Sequence, residues 1–308
     1  MKYSVNEERP DVWFVDLKVG GEEEYTGAYI VASGKAVALV EVGPASTAEN
    51  LLDALSEIGF SPESVKYLLL TDVHLDHGGA SGNLIGHFPN AYVVAHKRGI
   101  QHLIDPEKML WKAANEVLGF VAKIYGKPEP VPKERIIPVE EGMSLALGKL
   151  NFEIIPTPGH ASHHVCIFLY PANIVFTGDA AGIYIPSREV VLPATPPPFK
   201  LAPALKSIET LISLKPNLVA YTHFNIADHA KEKLKKHCDQ LVIWYECAKE
   251  IIARGIEREE EMFDLISRRD SDLKKFLRIS GKLGGLRRGV KTSLRGFFQI
   301  AAEEQNKV

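Results

Sequence analysis

One stretch constrains this chain more than any other: Thr71-Asp72-Val73-His74-Leu75-Asp76-His77 sets four side chains able to ligate a metal within six residues. The apolar run Tyr67-Leu68-Leu69-Leu70 before it reads as a buried strand, and Gly78-Gly79 after it allows a sharp turn. The expected arrangement is a ligand loop at the C-terminal end of a strand. Asp72 and His74, two apart, can share one side of an extended segment, whereas Asp76 and His77 are adjacent and must diverge. That spacing suits two neighbouring metals better than one. A lone histidine more often only hydrogen-bonds; the density of ligands here is what argues for metal.

The remaining strand signals prepare similar ends. Val12-Trp13-Phe14-Val15, Ala28-Tyr29-Ile30-Val31 and Ala36-Val37-Ala38-Leu39-Val40 predict a strand-rich beginning. A capping-box pattern at Ser46 and Glu49, with Leu51, Leu52, Leu55 and Ile58 at helical spacing, predicts a helix ended by Gly59. Ala91-Tyr92-Val93-Val94 reads as another strand. Leu110, Ala114, Val117, Leu118, Val121 and Tyr125 predict a long amphipathic insertion over about 106–125, either a roof for the site or a pairing surface for a second subunit. Strands at Ile136-Ile137, Phe152-Glu153-Ile154-Ile155, Val165-Cys166-Ile167-Phe168-Leu169, Ile174-Val175-Phe176 and Leu218-Val219-Ala220 follow. Three of these lead directly into His160, Asp179 and His223. Ligands carried on rigid strand ends are expected where several must meet. The Pro-rich run Pro193 to Pro198 can be neither helix nor central strand and is expected to form a pocket wall. Leu201, Leu205, Ile208, Leu211 and Ile212 predict a helix, and Leu234, Cys238, Leu241, Val242, Tyr245, Ala248 and Ile252 the apolar face of a longer one.

Composition removes several alternatives. With 308 residues, 45% of them hydrophobic, the chain can bury a substantial core. A net charge of −3 gives no global attraction to nucleic acid or membrane. Three cysteines, Cys166, Cys238 and Cys247, make neither a disulfide scaffold nor a thiolate metal site and point to a reducing compartment. The polar, charged start and the absence of a long apolar run predict a cytoplasmic protein with no membrane segment. Only four glutamines accompany many Lys and Glu, a bias seen in thermophile proteins. From Leu273 to Ala302 there are eight Lys or Arg and no acid, with Leu286, Val290, Leu294, Phe297 and Phe298 interleaved. An amphipathic helix packed on the body, with a solvated basic face, is the expected form.

Taken together, the motif around His74, Thr157-Pro158-Gly159-His160, Thr177-Gly178-Asp179 and Tyr221-Thr222-His223 resemble the metallo-β-lactamase superfamily, whose signature is His-x-His-x-Asp-His followed by later ligands in this order. Asp72 stands where that family has its first His. The resemblance runs from residue 72 to 223. It implies an α/β fold, a four-layer αββα sandwich over 1–227, with a C-terminal helical appendage over 228–308. It also implies two divalent transition-metal ions: Asp72, His74 and His160 for the first, Asp76, His77 and His223 for the second, and Asp179 bridging them.

Imidazole and carboxylate ligands suit Zn²⁺, Fe or Mn. A bridged pair lowers the pKa of a shared water and polarises a carbonyl or phosphoryl oxygen, so a metal-bound hydroxide serves as nucleophile. Asp76 and Asp179 are the expected catalytic carboxylates. Tyr184, Phe199, Tyr221 and Asn225, close to the motifs, are expected to line the pocket of a small-molecule substrate. Asp72 adds negative charge and a harder donor, which should move preference from Zn²⁺ toward Fe or Mn. Three outcomes stay open for it: an active site with altered metal preference, a weakened first site, or a degenerate binding site. His163 and His164, just after His160, are expected either to orient ligands or to line the next strand. Only 43 residues separate Asp179 from His223, too few for the large extra domain of the family's RNA-processing nucleases. The resemblance therefore implies hydrolysis of a small acyl substrate, a thioester or lactone. The alternatives are a one-metal iron oxygenase for a thiol-derived substrate and a non-catalytic metabolite- or RNA-binding protein; a homodimer is open.

Overall fold

The computed structural model describes residues 2–140, 142–255, 258–278 and 284–305; the side chains of Val117 and Leu286, named above, lie outside the described residues. The first sheet takes seven strands in chain order: β1 Ser4–Arg9, β2 Val12–Asp16, β3 Gly27–Ser33, β4 Ala36–Val40, β5 Val65–Leu69, β6 Tyr92–His96 and β7 Ile136–Val139. β1 to β4 meander antiparallel, with tight turns after β1 and β3 and a longer link through the 3-10 turn Val19–Gly21 after β2, whereas β4 to β7 run parallel. Parallel neighbours need crossover connections. The helix Ala48–Glu57 supplies the first of these, between β4 and β5.

The second half of the chain adds β8 Ser144–Leu147, β9 Leu150–Pro156, β10 Val165–Tyr170, β11 Ile174–Gly178, a separate hairpin of β12 Ile183–Ile185 and β13 Val190–Leu192, then β14 Leu218–Tyr221 and β15 Asn225–Ala227. Six of them form the second sheet, ordered β15-β14-β11-β10-β9-β8. β9 and β11 each pair antiparallel with β10, and β14 is parallel to β11. Hence β9, β11 and β14 all end at the same edge, and the residues that follow them, His160, Asp179 and His223, are delivered together.

The two-residue period of a strand builds the layers. On β3, Tyr29 and Val31 face the second sheet, while Ala28, Ile30 and Ala32 face the helix Ala48–Glu57. On β10, Val165, Ile167 and Leu169 face the first sheet, and Cys166 and Phe168 face the C-terminal helices. Both sheets are thus apolar on both sides, which an αββα sandwich requires. The Val165 N–H donates to Thr71 O at 2.9 Å and ties the two sheets together at the ligand edge.

Several local expectations are corrected. Ser46 and Glu49 form no capping box: the helix starts at Ala48, its cap Thr47 makes no side-chain cap bond, and the Thr47 hydroxyl donates to Pro44 O at 2.9 Å instead. The insertion is not one helix. A single π turn at Glu107–Trp111 leads into Lys112–Leu118, and Gly119 at φ 55° breaks the chain before Phe120–Tyr125. In the helix Ala230–Ala253 the buried stripe is Leu234, His237, Leu241, Trp244, Ala248 and Ile251, and Val242 is exposed. His237 and Gln240 sit inside it because each has a partner: His237 Nδ1 lies 3.2 Å from Gln240 Oε1, and Gln240 Nε2 donates to Val191 O at 2.8 Å.

Beyond residue 227 the hydrophobic cluster of the second sheet continues without a break through Leu234, Trp244, Met262, Phe276, Leu294 and Phe297. The basic segment forms the helix Gly284–Gln305, which buries Val290, Leu294 and Phe297, as its periodicity predicts. Asp270 is the polar pin of this layer. Its Oδ2 accepts from Gln240 Nε2 at 2.8 Å and Trp244 Nε1 at 2.7 Å, and its Oδ1 accepts from the Asp272 N–H at 2.8 Å. Asp270→Ala, which removes the acceptor of three buried donors, is expected to cost about 3 kcal/mol in urea unfolding. Asp270→Asn keeps one of the two acceptor oxygens and should cost less; equal midpoints for Asp270→Ala and wild type would refute this role.

Candidate metal centre

The loop after β5 turns into a short helix, Leu75–Gly78, with His74 as its cap. Gly78 and Gly79 therefore serve close approach rather than a left-handed turn: a Cβ at Gly79, whose φ is −60°, would sit 2.1 Å from Leu75 O. Gly178 is different. At φ 49° it takes a conformation L side chains rarely adopt, and a Cβ there would lie 2.3 Å from Thr71 Oγ1 and 2.5 Å from His164 Nε2. Only glycine lets β11 bring Asp179 against the β5 loop.

The residues singled out in the sequence converge. His74 Nδ1 lies 3.0 Å from Asp72 Oδ1 and 3.4 Å from His160 Nε2. His160 Nε2 lies 3.6 Å from Asp72 Oδ2 and 3.1 Å from Asp179 Oδ2. On the other side, Asp179 Oδ2 is 3.4 Å from His77 Nε2, and Asp179 Oδ1 is 3.5 Å from His223 Nε2, which is 3.6 Å from Asp76 Oδ2. Donor atoms of Asp76, His77 and His223 lie within 4.8 Å of one another, and so do those of Asp72, His74 and His163. Asp179 thus lies between two nests of nitrogen and oxygen, its Oδ2 near His160 of one and His77 of the other, and its Oδ1 near His223.

The nests fit cations. Asp72 Oδ2, Asp179 Oδ1 and both ring nitrogens of His77 are buried without a hydrogen-bond partner among the described residues, a costly state that a metal would relieve. Burial alone would push the Asp179 carboxyl up, yet the His160 and His77 imidazoles hold it far below the usual carboxylate range. Asp72 is likewise held low against burial by His74 and His163. Burial would lower the imidazoles in turn, but Asp72 raises His74 to about 9, and Asp179 and Glu41 raise His77 well above normal. Such a field favours positive charge at this spot, and imidazole with carboxylate is the donor set of Zn²⁺, Fe and Mn sites.

Residues that no motif marked hold the candidates in place. His160 Nδ1–H donates to Ala194 O at 2.8 Å, and His223 Nδ1–H to Tyr25 O at 2.8 Å, with Thr26 Oγ1 also 2.8 Å away; each ring keeps Nε2 free. The Pro-rich run is thus a wall that aims His160. It is fixed by the C-terminal helix, where Ser293 Oγ donates to Pro193 O at 2.7 Å and accepts from the Thr195 N–H at 3.1 Å. Glu41 accepts from the Thr71 N–H at 3.1 Å and from its hydroxyl, and turns Oε2 toward His77 Nδ1 at 3.3 Å. A readable signal existed for it: Glu41 follows an apolar strand as the other acids do. His164 Nε2 accepts from the Asp179 N–H at 3.1 Å, so its Nδ1–H donates to Thr157 Oγ1 at 2.8 Å. Burial lowers this imidazole to about 3, keeping it neutral for that task.

The four expected pocket residues are placed unevenly. Phe199 borders a cavity of about 10 Å³ beside His160 and Asp179. Tyr221 is fully buried and stacks on Tyr184 at 5.2 Å, beneath the metal-facing loops rather than on an open wall. Tyr184 contributes through its backbone, whose N–H donates to His223 O, while its hydroxyl donates to Glu189 at 2.6 Å. Asn225 lines a separate cleft of about 230 Å³ with Phe14, Asp16 and Phe224. Instead, Tyr25, its ring 6.2 Å from that of His223, and Tyr125, whose hydroxyl is 2.6 Å from that of Tyr25, approach the second nest; burial and then Asp76 push Tyr25 up to about 12.

Residues 22–223 match the family model of the metallo-beta-lactamase superfamily. Over 223 residues the chain is 28% identical to the metallo-beta-lactamase fold-containing protein ST1585 of Sulfurisphaera tokodaii, covering 69% of this chain and 80% of that one. The crystal structure of ST1585 superposes with a TM-score of 0.67 over 90% of this chain and 93% of its own, at 25% identity. Hydroxyacylglutathione hydrolase GloC of Haemophilus influenzae is 32% identical over 45% of this chain, and N-acyl homoserine lactonase AttM of Rhizobium radiobacter 29% over 43%. Those two matches span 58% and 48% of the relatives' own lengths. The family match over the ligand-bearing core, together with the αββα order, places this chain in the metallo-beta-lactamase superfamily.

Proposed function

We propose that this chain is a dinuclear metal-dependent hydrolase of small acyl substrates, of the thioester or lactone type. The observation that supports the reading is the clustering of seven side chains, with Asp179 in contact with His77, His160 and His223, and with buried oxygens and nitrogens left unpartnered among the described residues. Asp72, His74 and His160 would hold the first ion, and Asp76, His77 and His223 the second. Asp179, whose Oδ2 lies near both His160 and His77, would serve both. When bound, such a pair supplies Lewis-acid activation of water and of the scissile carbonyl.

The protein's own part is orientation and charge. Ala194 O and Tyr25 O fix the tautomers of His160 and His223, and Glu41 faces the outer nitrogen of His77. Asp76, its side chain 23% exposed, is the most open carboxylate of the group and the one within reach of an entering substrate. Two relatives, one named N-acyl homoserine lactonase and one named hydroxyacylglutathione hydrolase, support the substrate class. The extra carboxylate at Asp72 favours Fe or Mn over the all-imidazole preference for Zn²⁺.

The test is a panel of thioesters, lactones and phosphodiesters assayed on protein loaded separately with Zn²⁺, Mn²⁺ and Fe²⁺. Turnover of a thioester or lactone above that of phosphodiesters supports the reading. Oxygen consumption with a thiol substrate by the iron form alone would replace it with the oxygenase.

A further inference from the structure

Two oxygens of one buried carboxylate are treated differently in this fold. Asp72 Oδ1 accepts from the His74 backbone N–H at 3.0 Å, lies 2.9 Å from His163 Nε2 and stands 3.0 Å from His74 Nδ1. Asp72 Oδ2 has no partner among the described residues and faces His160 Nε2 at 3.6 Å. A carboxylate with both oxygens free would rotate about its Cβ–Cγ bond; here one oxygen is engaged from two sides. His163 is itself held. Its ring lies 5.8 Å from that of His102 at 33°, and the carbonyl before it, Ser162 O, accepts from Arg98 Nη1 at 3.4 Å.

We propose that His163 is the positioning residue of Asp72: its Nε2–H grips Oδ1 and so fixes the rotation of the carboxylate, with the unpartnered Oδ2 turned toward His160, where the first metal would be held. The inference rests on the dinuclear reading above and deepens it at the ligand that departs from the family signature. An imidazole at position 72 would bring its own fixed lone pair. A carboxylate has two equivalent oxygens and free rotation, so it needs a second group to choose between them, and His163 makes that choice. The role is distinct from ligation: in the grip, His163 Nε2 carries the proton and has no lone pair for a metal.

Titration of the metal-free protein with Co²⁺, followed by visible absorption and by elemental analysis, tests it without an activity assay. His163→Ala is expected to weaken the first ion by about 10- to 100-fold, the usual cost of losing a partner behind a ligand, and to leave the second unchanged. His163→Gln, which keeps an N–H donor, is expected to restore most of the affinity, with a Co²⁺ spectrum like that of wild type. In an Asp72→His background, which has no carboxylate to orient, His163→Ala should cost nothing further. Wild-type affinity in His163→Ala overturns the proposal. So does a glutamine variant as weak as alanine with an altered Co²⁺ spectrum, which would make His163 a direct ligand. If wild type itself takes up no first ion, the dinuclear reading fails, a result separable from both.

Discussion

Asp179→Asn is expected to release most of the bound metal from both nests and to lower turnover by about 1,000-fold or more, the equivalent of several kcal/mol of transition-state stabilisation. The reason lies in the contacts of this carboxylate: Oδ2 is 3.1 Å from His160 Nε2 and 3.4 Å from His77 Nε2, and Oδ1 is 3.5 Å from His223 Nε2. Asparagine keeps the shape but removes the charge that opposes three imidazoles. The fold should survive, because the bond to His164 Nε2 is made by the Asp179 backbone N–H, which asparagine retains. Metal content by elemental analysis and thermal unfolding of the same sample separate loss of metal from loss of structure. A variant that keeps both ions would show that Asp179 is not shared.

Asp72 makes the second large prediction. Asp72→Ala removes a fully buried anion that holds His74 high, and it should weaken the first ion by more than about 100-fold, beyond the range typical of outer partners. The second nest has its own ligands in Asp76, His77 and His223 and should stay occupied. Asp72→His should return the first position to an imidazole set, with stronger preference for Zn²⁺ over Fe and Mn. Competition between the metals, read by elemental analysis on the three proteins, checks both statements. If all three proteins match in metal content and preference, Asp72 is a bystander.

The clustering of the candidate ligands is readable from the sequence because each follows a largely apolar strand, and those strands end at one edge. β1 is not: Ser-Val-Asn-Glu-Glu-Arg is a polar edge strand, recognisable only by its pairing with β2. The break at Gly119 is hidden from the pattern because the apolar spacing continues on both sides of it. The buried stripe of Ala230–Ala253 departs from the apolar pattern for a different reason. His237 and Gln240 look like surface residues until Val191 and Asp270, distant in sequence, supply their partners. The groups that orient the site, Ala194 O, Tyr25 O and the contact of His163 with Asp72, arise from tertiary juxtaposition across 34, 198 and 91 residues, which no local pattern encodes.

The central claim is a two-metal centre built on Asp179, and the most direct test is metal stoichiometry. Protein prepared with Zn, Fe and Mn all available, washed free of loose ions and measured by elemental analysis, should carry two transition-metal ions per chain, and the combined His74→Ala and His77→Ala variant should carry neither. Wild-type protein that retains no such ion under these conditions would contradict the account.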